Sequence, residues 1–173
     1  LRPLGKSAED YYIKQRDNNE KLEAKKKFYE MKAESDIIQA KEKNNPDDVS
    51  AVNNFNQTFG QYKNQQLSQV KNKRVKRKLE LLLNADQPES VYKIKAASFE
   101  ALEAQNIDMY NTEQNTLSAE YSLSKDPNLK DIAKQKRIES AKEFENMHLM
   151  GKPWLNKEIQ TINTDSAIFD ADV

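Results

Sequence analysis

The pair best spaced for chemistry is Glu145 and His148, an E-x-x-H step that a helix would project from one face. Helical bundles holding a di-iron centre use two such pairs plus two further glutamates. This chain of 173 residues has one histidine, so it can supply only one pair. A His beside Phe144 and Met147 near the end of a helix instead complements the negative end of the helix dipole. One histidine also limits Ser-His-Asp chemistry to a single base, and no G-x-S-x-G elbow accompanies it. The absence of cysteine removes thiolate nucleophiles, disulfides and Cys-ligated metals. Gly5, Gly60 and Gly151 stand too far apart to cradle a phosphate. Paired carboxylates for glycoside cleavage stay open among 28 acidic residues, but general acid work needs a carboxyl raised by an apolar pocket, and no Gly-lined cleft is visible. The expectation is a non-enzyme with no catalytic residue, metal or cofactor.

Two features remain that could serve recognition. The first is the run "KNKRVKRK" with its neighbours, in which Lys71, Lys73, Arg74, Lys76, Arg77 and Lys78 follow a stretch free of acids since Asp48. Such a run can contact nucleic-acid phosphates, or it can be neutralised within the fold. Zero net charge and a pI of about 6.8 favour the second outcome. The other is Trp154, the only tryptophan, which either anchors the last helix or stands exposed as an interface hot spot. The Glu-Ser steps at Glu89 and Glu139 are similar to the catalytic step of lytic transglycosylases. The Gly-rich sequence that follows it in that family is missing, so the match is rejected.

The elements that must carry these residues follow from punctuation. Ser7, Pro46, Pro88 and Asp126-Pro127 each open a stretch nearly free of Gly and Pro and rich in Ala, Leu, Glu, Lys and Gln. The starts at 7, 46, 88 and 127 predict four helices of about 35 residues, each roughly 50 Å long. The fourth stops at Gly151 with Pro153 beyond it, and a short fifth helix follows. Residues 1–6 read as a tail, 7–150 as a long-helix bundle, 151–165 as the short helix and 166–173 as a second tail, "DADV" being a frayed end. No period-two alternation exists. The fold class is all-α, an elongated bundle or set of hairpins of about four long helices plus a short C-terminal one.

Apolar residues are scarce. Leu, Ile, Val and Phe number 36, charged residues make up 32% and mean hydropathy is -0.99, so each helix has only a narrow seam to bury. In the first segment the stripe passes through Leu22, Tyr29, Ala33, Ile37 and Ala40. The second offers Phe55, Phe59 and Tyr62, then Val75, Leu79 and Leu82. Val91, Phe99, Leu102 and Met109 mark the third, while Leu129, Ile132, Ala133, Ala141, Phe144 and His148 mark the fourth. Asn and Gln supply ten of the twenty residues from 53 to 72, which suits a wet helix face. No apolar run is long enough to span a membrane.

Charge is divided along the chain. Residues 1–86 carry 18 basic and 13 acidic groups, residues 87–173 carry 10 and 15. A hairpin turning at Asp86 would bring position 71 near 102 and 65 near 108, pairing the basic run with the acid-only stretch between Lys95 and Lys125.

The passage "RIESAKEFENMHLMGKPWLNKEIQTINTDSA", a helix, a Gly-x-Pro turn and a second helix, resembles passages of the long internal virion proteins of tailed bacteriophages. The start at Leu1 and the Asn and Gln content agree with a piece of such a protein. The resemblance covers about the last third of the chain and transfers no catalytic residue. It implies packing inside a capsid or tail, self-association or contacts with portal, tail and other internal proteins, and delivery with the genome. The alternative is a cytoplasmic coiled-coil adaptor or a nucleic-acid-associated protein using Lys71 to Lys78.

Overall fold

A computed structural model describes residues 4–171 and is all-α, with no strand among the described residues. Five helices follow one another: α1 (Leu4–Glu42), α2 (Asp48–Ser68), α3 (Lys73–Leu123), α4 (Pro127–His148) and α5 (Lys152–Ala171). They form two compact units, 1–102 and 103–173, each a three-helix bundle, with α3 contributing residues 73–102 to the first and 103–123 to the second.

Local chemistry sets the ends. Asp47 caps α2, its carboxylate accepting from the N–H groups of Val49 and Ser50 at 3.1 Å. Asp126 caps α4 in the same way through Asn128, with Pro127 at the first helical position as its spacing requires. At the other end of α4 the reversal falls on two residues: Leu149, not Gly151, is the C-cap, at φ 51°, and Gly151 follows at φ 89°. Only the second has the glycine freedom such a backbone favours.

Three boundaries differ from the proline-spaced scheme. Helix α1 begins at Leu4, ahead of Ser7, so residues 4–6 are helical rather than a tail; residues 1–3 lie outside the described residues. The hairpin expected at Asp86 does not exist, because α3 runs through Pro88. Pro88 is exposed and leaves the Asn84 carbonyl without its helical donor. Yet Leu83, Ser90 and Ile94 bury one continuous stripe on both sides of it, and Asp86 is held by the Lys32 ammonium at 2.9 and 3.1 Å. That packing offsets the lost hydrogen bond. The break falls instead at residues 69–72, where the Asn72 carboxamide oxygen accepts from the N–H groups of Arg74 (2.9 Å) and Val75 (3.3 Å) and so caps α3. Finally, α5 extends to Ala171 and takes in most of the expected second tail, of which residues 172 and 173 lie outside the described residues.

In unit 1 side-chain links fix the direction of the helices. Lys78 of α3 meets Asp17 and Glu20 of α1, and Asp86 meets Lys32 further along both, so α1 and α3 run the same way. Gln87 reaches Asn56 of α2, which runs against both. The core joins Ala24, Met31 and Ile38 of α1 to Phe55 and Phe59 of α2 and Leu79 of α3. On α1 the buried positions are Glu20, Ala24, Met31, Ser35 and Ile38, at steps of 4, 7, 4 and 3. The stripe expected on α1 lies on the opposite side: Leu22, Tyr29 and Ile37 are 66%, 66% and 53% exposed, and Ala33 and Ala40 are exposed with them. Phe99, Leu102, Met109, Leu129 and Ile132 are likewise exposed rather than buried.

Unit 2 packs α3 (103–123), α4 and α5 around Tyr110, Ala141, Phe144 and Ile162. A polar layer crosses it. Arg137, 7% exposed, donates from Nε to the Gln114 carboxamide at 3.1 Å and from a terminal nitrogen to Asp165 at 3.1 Å, while its backbone carbonyl accepts from Gln114 at 3.0 Å. One side chain thereby ties all three helices of the unit.

The inner and outer faces of α1 are separable by mutation. Met31→Ala should lower unfolding free energy by about 2–4 kcal/mol through the cavity it leaves, while Leu22→Ala should change it by less than about 0.5 kcal/mol. Urea denaturation followed by circular dichroism at low protein concentration measures both, and equal losses would refute the assignment of faces.

Candidate functional site

The basic run sits on the turn from α2 into α3 and on the first turns of α3. The Asn72 cap orients these turns, with Val75 and Leu79 pointing into the core. Lys71, Lys73, Arg74 and Arg77 are exposed and Lys76 is half-buried. No acidic residue lies in the first turn of α3, so these cations stand at the positive end of a helix, where the dipole disfavours them. Among the described residues none of the five has an ion-pair partner. A groove of about 540 Å³ beside them is lined by Glu23, Lys26, Lys27 and Glu30 of α1, and by Lys71 and Val75. The acids nearest Lys71 are therefore on α1, not around residue 102 as a hairpin at Asp86 would require.

Lys78 leaves the cluster. Its ammonium lies 2.7 Å from the Asp17 carboxylate and 3.4 Å from that of Glu20, whose side chain is only 8% exposed. The hydrogen bond to Asp17 raises the Lys78 pKa above the usual lysine range and lowers that of Asp17 below the usual carboxylate range. Lys78 thus fastens α3 to α1 and is spent inside the fold, as Lys32 is on Asp86.

Trp154 lies in the first turn of α5 and is half-buried. Its ring centroid is 5.9 Å from that of Tyr110 and 5.6 Å from that of Phe144, and these two stack at 4.5 Å. This is an anchoring position for α5 within unit 2. Tyr110 completes the corner by donating to Glu158 at 2.9 Å, and burial first, then that hydrogen bond, holds its hydroxyl far above the ordinary tyrosine range. His148 packs on Phe144, with centroids 4.4 Å apart. Among the described residues no three His, Asp or Glu side chains gather as metal ligands.

The feature that sequence reasoning placed on the wrong side is the outer face of α1. Tyr12, Leu22, Tyr29 and Ile37 follow one another along it, separated by Gln15, Asn19, Lys26 and Ala33, and every one of these side chains is exposed. All side chains from 5 to 16 are exposed as well. Large apolar side chains of α1 thus lie on two opposite faces, of which unit 1 covers one. The periodicity that revealed this stripe was visible in the sequence, but not which of two competing stripes enters the core. Arg137 was missed because a charged residue breaks an apolar pattern; its place four residues from both Ala133 and Ala141, each buried, was the available signal.

Exposed ion pairs give the fold an acid limit. Asp17 is lowered by Lys78, and Asp170 by Lys130 first and then by the Tyr121 hydroxyl. Both folded carboxyls thus sit below their ordinary value of 3.8. Their contribution is complete above that value and disappears as pH falls through the lowered ones. The thermal midpoint should hold steady down to about pH 5 and drop below about pH 4, with Asp170→Asn reducing the drop; a midpoint unchanged to about pH 2 would contradict this. No known protein family, no curated protein and no solved structure matches the chain.

Proposed function

We propose that this chain is a structural and interaction module rather than a catalyst, packed inside the capsid or tail of a tailed bacteriophage and carried with the genome at ejection. The observation that supports it best is the uncovered apolar face of α1, which calls for a binding partner and supplies no reactive group. Partners of matching chemistry are copies of the chain or neighbouring virion proteins with their own narrow apolar seams. The virion assignment rests on the likeness of the last third of the sequence to internal virion proteins. Mass spectrometry of nuclease-treated, gradient-purified particles tests it. Peptides of the wild-type chain should be recovered, and Leu22→Glu with Tyr29→Glu should deplete them at least about tenfold while leaving the fold intact by circular dichroism. Absence of the wild-type peptides, or undiminished incorporation of the variant, would overturn the reading.

The five unpaired cations at the start of α3 favour a second reading, contact with nucleic-acid phosphates. Five neutralised phosphates would make the logarithm of affinity fall with that of salt at a slope of about -4. Arg74→Glu with Arg77→Glu should abolish retention on DNA or RNA, and unchanged retention would eliminate this reading.

A further inference from the structure

We propose that the outer face of α1 pairs in parallel and in register with the same face of a second copy of this chain, as a short two-stranded coiled coil. The inference rests on reading that face as an interface, and names its partner. From Tyr12 to Ala33 the face keeps a heptad spacing. One core position runs Tyr12, Asn19, Lys26, Ala33; the other runs Gln15, Leu22, Tyr29. All seven side chains are exposed and lie opposite Ala24, Met31 and Ile38, which are buried in unit 1. The seam is about 33 Å long at helical rise. Its N-terminal end belongs to turns whose side chains are all exposed.

Charge and one amide choose the partner and its direction. The two flanks of the seam differ in charge: Lys25 lies on one, Arg16, Glu23 and Glu30 on the other, and all four are exposed. A parallel pair sets Lys25 of each copy against the partner's Glu30, five residues on, which is the spacing at which flanking charges meet in a two-stranded coil. Glu30 pairs in its own chain with Lys27 at 3.7 Å and lines the groove beside Lys71. An antiparallel pair would set like flank against like. Asn19 at a core position meets its own copy only when the helices are parallel and in register, where a buried amide pair specifies alignment at some cost in stability. The pair is therefore complementary at Lys25 with Glu30 and at Asn19, while Lys26 meets its own copy like charge against like and must turn its ammonium out to water.

The chain has no cysteine, so single cysteines report this geometry directly in the 173-residue chain. Leu22→Cys and Tyr29→Cys should each form a disulfide-linked dimer under mild oxidation, at least about tenfold faster than Leu123→Cys, a control at an 82% exposed position. Sedimentation of the unmodified chain should show a monomer-dimer equilibrium that Lys25→Glu weakens roughly fivefold and that Lys25→Glu with Glu30→Lys restores. Cross-linking through only one of the two cysteines would mean another alignment and overturn the parallel pair. A chain that stays monomeric, with both cysteines no faster than the control, would overturn self-pairing altogether. The interface reading would then still be decided separately by incorporation of the Leu22→Glu, Tyr29→Glu variant into particles.

Discussion

A helix can cover only a stripe of its surface with each neighbour, and in this chain apolar residues are too few to fill even those stripes. The remaining core positions are taken by polar groups that must find partners once water is removed. In unit 2 Arg137 satisfies Gln114 and Asp165 together. Unit 1 solves the same problem nearer its surface, where Lys78 serves Asp17 and Glu20, and Lys32 serves Asp86. Such contacts add modest stability, because desolvation opposes the Coulomb attraction. Their greater effect is on alignment. A one-residue slip of α3 against α1 would part Lys78 and Lys32 from their acids at the same time.

How much of this was legible in the sequence depended on whether a signal was local. The Asp126-Pro127 start of α4 and the Phe55, Phe59, Tyr62 face of α2 rest on caps and spacing within one turn or two, and they agree with the structure. The all-α class follows from the same kind of evidence. Pro88 misled because a proline is a strong local breaker, while the burial that carries α3 through it comes from Met31, Phe55 and other residues distant in sequence. The true break at Asn72 was hidden among ten Asn and Gln residues in twenty, any of which could have been a cap. On α1 two stripes compete, and the one with the larger side chains, Leu22 and Tyr29, looked like the core. Only the positions of α2 and α3 decide that Ala24, Met31 and Ile38 go inside. Of the candidate site, the basic run was fully legible as a charge cluster. The removal of Lys78 from it was not, since its partners are 58 and 61 residues away.

The same scarcity of apolar residues links fold to function. Leu22 and Tyr29 stand on an outer face while Ser35, Ser98 and Glu20 lie inside. On the proposed reading, the second face of α1 is the one an assembly would cover.

Amide hydrogen exchange of residues 5–16 at increasing protein concentration tests the two-faced character of α1 most directly. These turns have no buried side chain of their own, so a second molecule laid on them would raise their protection. The account predicts exchange near the unfolded rate in dilute solution and protection that grows with concentration. Protection that is strong and independent of concentration, or absent at every concentration, would contradict it.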